Sequence, residues 1–597
     1  MNTDESAGHA AEAAVGLLQD CLDVLHDVRL PLELPGAVEV RQALSSAVVQ
    51  LDDYILPRYR SLEAPLLAVV GGSTGAGKST LVNALVGHPV TRSGAIRPTT
   101  RQPILLHHPH DRGWFEGDRI LPGLPRITGS VVPGGALPGA DDGAISDPGG
   151  QERIGGQSLV LVGQGSVPQG IALLDAPDID SVSDANRQLA GQLLAAADLW
   201  LFVTTANRYA DAVPWRVLAE AASREITLAI ILDRVPSGVG DEVAADLRSM
   251  LDRQGLADAV LFTVPESDLD AVDMLSTDAV EPIRAWLTAI AADSSGRAAI
   301  ARKTLTGAVA QLGQQMSEIA SAEREQRDVG RELSRRVAEA YDAASQRIGV
   351  ATTEGTLLRG EVLARWQDFV GTGEFFRSLE TGIGKLRDRI GAFFTGRPQP
   401  VENVEQAIET GLHAVVVDEA AKAAEQAEAF WRSDPAGRTL VAHADLGTTS
   451  PHFDTRVAAE IRDWQGEVLG LIRAEGAGKR FTARMVSFGV NGVAVALMVV
   501  VFASTAGLTG LEVGIAGGTA VVGQKLLESI FGEDAVRRLA KEARAGLNKR
   551  VATLLAGEAE RFLATLEDVP SSDDIDEVES VAGRLSQLAR RSREATA

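Results

Sequence analysis

Residues 66–80 read LLAVVGGSTGAGKST. Gly72, Gly77, Lys78 and Ser79 satisfy G-x-x-x-x-G-K-[ST], a spacing whose glycines let backbone N–H groups turn inward around phosphate oxygens. Gly72, Ser73, Thr74, Gly75, Ala76, Gly77, Lys78, Ser79 and Thr80 are therefore the candidate nucleotide-binding residues. An apolar strand leads into the loop. Residues 79–86 follow as a helix that Gly87 closes. That helix N-terminus adds a positive partial charge toward the anion. In such a loop the lysine, here Lys78, reaches the β- and γ-phosphates, and the hydroxyl, here Ser79, ligates Mg²⁺.

A magnesium-linked acid is expected at the end of a second strand. The run IALLDAPD supplies it in Asp175, after four apolar residues. Between the two lies RPTTRQPILL, where Thr100 follows Lys78 by 22 residues, a distance that suits a switch segment reaching back to Mg²⁺ and the γ-phosphate. Thr99 competes with it for that role, and Arg97 and Arg101 are candidate charge stabilisers. The expected chemistry is phosphoryl transfer, with Lys78, Thr100 and Asp175 as catalytic candidates and Ser79, Thr100 and Asp175 as the metal set. An LSGGQ-like signature is absent from the sequence, which argues against an ABC-type ATPase.

These residues need a scaffold, and residues 63–292 have the texture of one. Short β-rich runs at 66–70, 104–107, 159–162, 171–174, 199–204, 227–232 and 260–264 alternate with helix-length segments such as 79–86, 186–196 and 241–254. That alternation predicts an α/β domain with a mostly parallel sheet. Residues 109–156, rich in Gly, Pro and Asp, read as a long insertion.

Composition narrows the rest. The chain has 597 residues, a net charge of -24 and one cysteine, Cys21. The acidic balance argues against a nucleic-acid binder. The lone cysteine excludes an internal disulfide framework and any Cys-rich zinc site. The first sixteen residues lack a basic n-region and an apolar h-region, so no secretory signal is expected and the nucleotide site belongs in the cytosol. Cys21 reads as a buried structural thiol, and Trp200 and Trp215 as core or interface. His107, His108 and His110 cluster in a loop without metal spacing.

The order of phosphate loop, Thr-Arg switch and Asp-x-Pro-x after an apolar strand resembles the translation-factor-like GTPases, and the surroundings resemble bacterial dynamin-like proteins. Those surroundings are helices before the head, long helices after it, and a late hydrophobic segment. The resemblance by motif covers about residues 64–290. It implies GTP as substrate, Mg²⁺ as cofactor, and GTP binding and hydrolysis coupled to self-association and to remodelling of a lipid membrane. The partners implied are that membrane and a second copy or a paired dynamin-like protein, on the cytoplasmic face of the cell membrane.

Two positions depart from the family pattern. The D-x-x-G glycine is Asp178, a carboxylate that repels a γ-phosphate unless it turns away or shares a metal. The base-reading [NT]-K-x-D becomes Asp233-Arg234-Val235-Pro236, with proline where the guanine-pairing carboxylate belongs. Asp233 and Arg234 remain base-site candidates, Arg234 through stacking of its stem. Two rival functions follow: a membrane-tethered Era-like regulatory switch, and a nucleotide-binding scaffold with little hydrolysis.

From Met485 to Gln524 the only charge is Glu512. The uncharged run 486–511 would span about 39 Å as a helix, against a hydrocarbon core of about 30 Å. Basic residues flank it on both sides: Lys479, Arg480 and Arg484 before, Lys525, Arg537 and Arg538 after. They place both ends in the cytosol and favour a membrane-inserting hairpin, with Gly510, Gly514 and Gly518 at close-packing spacing. A single spanning helix with a short interfacial piece, and a buried hairpin inside a soluble bundle, are the alternatives. A second apolar stripe, Phe375 to Phe393 with Lys385, Arg387 and Arg389 among it, reads as stalk core or as a surface-lying basic helix. The expected architecture is an α/β P-loop GTPase head, an elongated all-α stalk and a hydrophobic membrane-inserting helical hairpin. Its segments are 1–62 N-terminal stalk helices, 63–292 GTPase domain, 293–484 stalk, 485–524 membrane segment and 525–597 C-terminal stalk helices.

Overall fold

The computed structural model describes residues 2–90, 102–117, 119–128, 158–181, 184–270, 274–353, 361–370, 399–442, 444–476, 490–503 and 515–596. The chain divides into two compact units. One comprises residues 1–30, 36–324 and 570–597; the other comprises 31–35 and 325–569.

The first unit is built on eight strands: β1 (Leu66–Gly72), β2 (Ile104–His107), β3 (Arg126–Thr128), β4 (Leu159–Gly163), β5 (Ile171–Asp175), β6 (Leu199–Thr205), β7 (Thr227–Val235) and β8 (Val260–Pro265). Their order is β3-β4-β2-β5-β1-β6-β7-β8. Every pairing is parallel except that of β2 with β5. The exception has a simple cause. Only residues 164–170 link β4 to β5, too short for the crossover of a dozen or more residues that parallel neighbours require. All of β1 is buried on both faces, as a central strand of a parallel sheet should be. The seven strands expected from the sequence are present. The eighth, β3, falls inside the stretch read as an insertion, together with the short helices Pro109–Asp111 and Arg112–Phe115.

Helix Asn2–Asp27 pairs with helix Ser572–Thr596, and Arg584 meets Asp20 at 3.2 Å. Both ends of the chain thus pack in the unit that holds the sheet, whereas the sequence suggested that they join the stalk. A bolt of buried polar groups fixes residues 54–58 to the sheet. Asp198, just ahead of β6, accepts hydrogen bonds from Arg58 Nη2 at 2.8 Å, Leu67 N at 2.9 Å and Tyr54 OH at 3.0 Å. Cys21 is buried against Met316 Sδ, and burial pushes its thiol up to about 12. Trp200 is a core residue whose Nε1 donates to Leu194 O, and half-buried Trp215 donates to Tyr209 O.

The second unit is helical. Its core gathers apolar residues of helices Gln399–Ser433, Phe453–Glu475, Val490–Ala503 and Glu533–Leu563. Helix Val490–Ala503, the described part of the uncharged run 486–511, agrees with the buried alternative rather than with a membrane span. It has 14 residues, about 21 Å at 1.5 Å per residue, and residues 493–502 are all buried. It packs on helices Phe453–Glu475, Ile515–Phe531 and Glu533–Leu563. Phe502 meets the Trp464 ring at 5.7 Å, and Arg544 donates to Val501 O. Among the described residues no helix is long and apolar enough to cross a membrane. Glu512, Gly510 and Gly514 lie outside the described residues, as does the stripe 375–393.

Candidate phosphate site

Four strand ends converge where the chemistry was expected. β1 ends at Gly72, β5 at Asp175, β6 at Thr205 and β7 at Val235, and ligands of open parallel sheets bind at such carboxyl edges. Two glycines are required by close approach. At Gly72, φ +153°, a Cβ would collide with the carbonyl of Val203 on the neighbouring strand. At Gly77, φ +97°, it would collide with the carboxylate of Asp233. Gly77 caps helix Lys78–Val86 and accepts from Leu81 N at 2.8 Å, and Ala76 N closes the turn on Ser73 O at 3.1 Å. Gly75 also takes positive φ, and Thr80 sits in the first helical turn, half-buried.

The structure brings Lys78, Ser79, Asp175 and Asp178 together. Ser79 Oγ donates to Asp175 Oδ2 at 2.9 Å, and Asp175 is buried. Lys78 Nζ donates to Gly72 O at 3.0 Å, to Ser73 O at 3.1 Å and to Asp178 Oδ1. The sequence left open whether the Asp178 carboxylate turns away from the phosphate position. It turns toward the lysine.

A second link was not anticipated. Asp180 Oδ1 accepts from Thr74 N at 2.5 Å and from Thr74 Oγ1 at 2.7 Å. Its other oxygen accepts from Arg208 Nη2 at 3.0 Å, while Arg208 Nη1 donates to Thr74 O and Nε to Asp211. Burial raises the Asp180 pKa, but the hydrogen bonds from Thr74 and Arg208 outweigh it and hold the carboxyl below its ordinary range. Arg208 lies just beyond β6. The signal that could have found it is its place after a strand end, on the same edge as the loop.

On the base side, Asp233 is buried beneath Gly77. Burial raises its pKa against the lowering effect of Arg234, whose Nε is 3.8 Å away. Arg234 is exposed and takes φ +52°. Pro236 follows directly on β7. Arg97, Thr99, Thr100 and Arg101 lie outside the described residues. His107 is buried, with Nδ1 2.9 Å from His108 O and its ring stacked on Phe115; among the described residues no metal-holding group of three appears.

Residues 67–120, which span the loop and its flanking strands, match a family model described as the dynamin family. By this segment the chain is similar to the dynamin family. Two solved structures have a similar outline, both described as an oligomerised bacterial dynamin pair that provides a mechanism for long-range sensing and tethering of membranes. One is 10% identical, with TM-score 0.40 over 97% of this chain and 95% of its own. The other is 11% identical, with TM-score 0.40 over 96% and 95%. No curated protein matches. Asp178 and Pro236, the two departures from the expected pattern, lie outside the matched segment.

Proposed function

We propose that the chain is a dynamin-like GTPase that couples GTP binding and hydrolysis to self-association and membrane binding. One observation carries the reading: in a phosphate loop within the dynamin-family match, the lysine folds back on the loop carbonyls and the adjacent hydroxyl bonds a strand-end carboxylate. Magnesium suits the donors. A hydroxyl and a carboxylate 2.9 Å apart are hard oxygen ligands of the kind Mg²⁺ combines with phosphate oxygens and water. Ser79 and Asp175 would hold it, with Thr100 as the proposed switch ligand. The ion supplies neutralisation of charge across the phosphates.

The chain's own groups do the rest. Inward-facing loop amides and the helix N-terminus hold the anion, and Lys78 offsets the charge that gathers on the transferred group. The Asp233 carboxylate under Gly77 supports the loop from the base side. Asp178 on Lys78 specifically favours the second reading, a nucleotide-binding scaffold with slow turnover.

The test is binding and turnover of GTP and of ATP by the full chain, with and without anionic liposomes. GTP-selective, Mg²⁺-dependent turnover that Lys78→Ala abolishes, with nucleotide-dependent liposome co-sedimentation, supports the proposal. Unchanged hydrolysis in Lys78→Ala shows that the assigned site is wrong. Tight binding without turnover selects the scaffold.

A further inference from the structure

We propose that Asp178 is a built-in competitor for the γ-phosphate, a specificity-determining residue that biases the loop toward a nucleoside diphosphate over a triphosphate. The inference rests on the proposed reading of residues 72–79 as a nucleotide site. An ammonium has three N–H donors and no more. Lys78 is fully engaged: Gly72 O and Ser73 O take two donors, and the Asp178 carboxylate takes the third. A diphosphate needs one lysine donor for its terminal group. One of the two loop carbonyls can release it, with Asp178 left in place. A triphosphate needs a second donor for its γ-oxygens, and that donor is the one on Asp178.

Leaving the carboxylate beside an incoming γ-phosphate sets like charges against each other. The triphosphate must therefore displace Asp178, whereas the diphosphate need not. Displacement is resisted by what holds the neighbouring residues. Two positions on, Asp180 is tied to the backbone and hydroxyl of Thr74 and to Arg208. Between the two, Ile179 N bonds Gly72 O at 3.4 Å. Asp178 itself is one-quarter exposed, so its carboxylate has a way out to water when it leaves.

The experiment measures dissociation constants of fluorescent GDP and of a fluorescent non-hydrolysable GTP analogue, with Mg²⁺, for the full-length protein and for Asp178→Asn and Asp178→Gly. Asparagine removes the charge at constant size, and glycine removes the side chain, so either variant suffices if the other fails to fold. The expected result is a shift of the affinity ratio toward the triphosphate by about tenfold in both variants. An unchanged ratio with good binding of both nucleotides overturns the role of Asp178 and leaves the nucleotide site standing. Weaker triphosphate binding in the variants also overturns it, since Asp178 would then serve the ligand or its metal. If neither wild type nor variants bind either nucleotide, the reading of residues 72–79 fails and the proposal with it.

Discussion

At the start of β1, Arg58 donates to Asp198; at its far end, Lys78 donates to Asp178. Both pairs join a cation on a helix to a carboxylate close to a strand end, and both cations are buried. They differ in what surrounds the acid. Asp198 is 2% exposed and accepts two further hydrogen bonds, from Tyr54 and Leu67, so every route out is closed. Asp178 is 25% exposed, and Lys78 divides its donors between it and two loop carbonyls. A buried pair with saturated partners resists separation. A pair open on one side can exchange one partner for another. The same chemistry thus serves as a bolt at the closed end of the strand and as a latch at the phosphate end.

The largest test of that contrast is Arg58→Ala. It strands the Asp198 charge, and chemical denaturation should show a loss of about 3–5 kcal/mol. A loss below 1 kcal/mol would break the comparison. Lys78→Ala should do the reverse. Nucleotide affinity should fall about 100-fold, the scale of a lost charge-assisted bond to phosphate, with little change in thermal midpoint. Tyr54→Phe removes one neutral donor from the bolt and should cost about 1 kcal/mol.

The smallest effect is pH-dependent. Burial, with Asp574 adding to it, raises Glu323 from 4.5 to about 7 in the folded protein. A raised acid contributes stability below its unfolded pKa and loses that contribution as pH rises through the folded one. Glu323→Gln should therefore leave stability near wild type at pH 4 and exceed it at pH 8, by about 1 kcal/mol. Parallel unfolding curves at the two pH values check it, and equal gains at both would remove Glu323 as the cause.

The phosphate end of β1 was legible in the sequence because its residues follow a spacing that chemistry imposes. Gly72, Gly77, Lys78, Ser79 and Asp175 stand at a strand–loop–helix turn and at a strand end, and the structure puts them there. The closed end was not legible. Arg58, Tyr54 and Asp198 are far apart in the chain and carry no common period, so only the tertiary fold reveals that they meet. The hydrophobic stretch was ambiguous for another reason. A run without charges states that water is excluded, not whether lipid or protein excludes it. Helix Val490–Ala503 meets the condition with Trp464 and Arg544 around it. Its continuous length, which separates the two cases, depends on where the helix breaks. The pairing of the chain ends was legible, but their place in the unit that holds the sheet was not, since an amphipathic helix such as Ser572–Thr596 shows that it has a partner without naming it.

Arg208 grips Thr74, Asp180 and Asp211 with three nitrogens, and this has a kinetic consequence. A loop held shut from within cannot be filled at the rate of collision. Opening comes first, and capture follows it. The observed association rate should then climb with nucleotide concentration only until it meets the opening rate, and level off there. The guanidinium beyond β6 would be the clock of the first step.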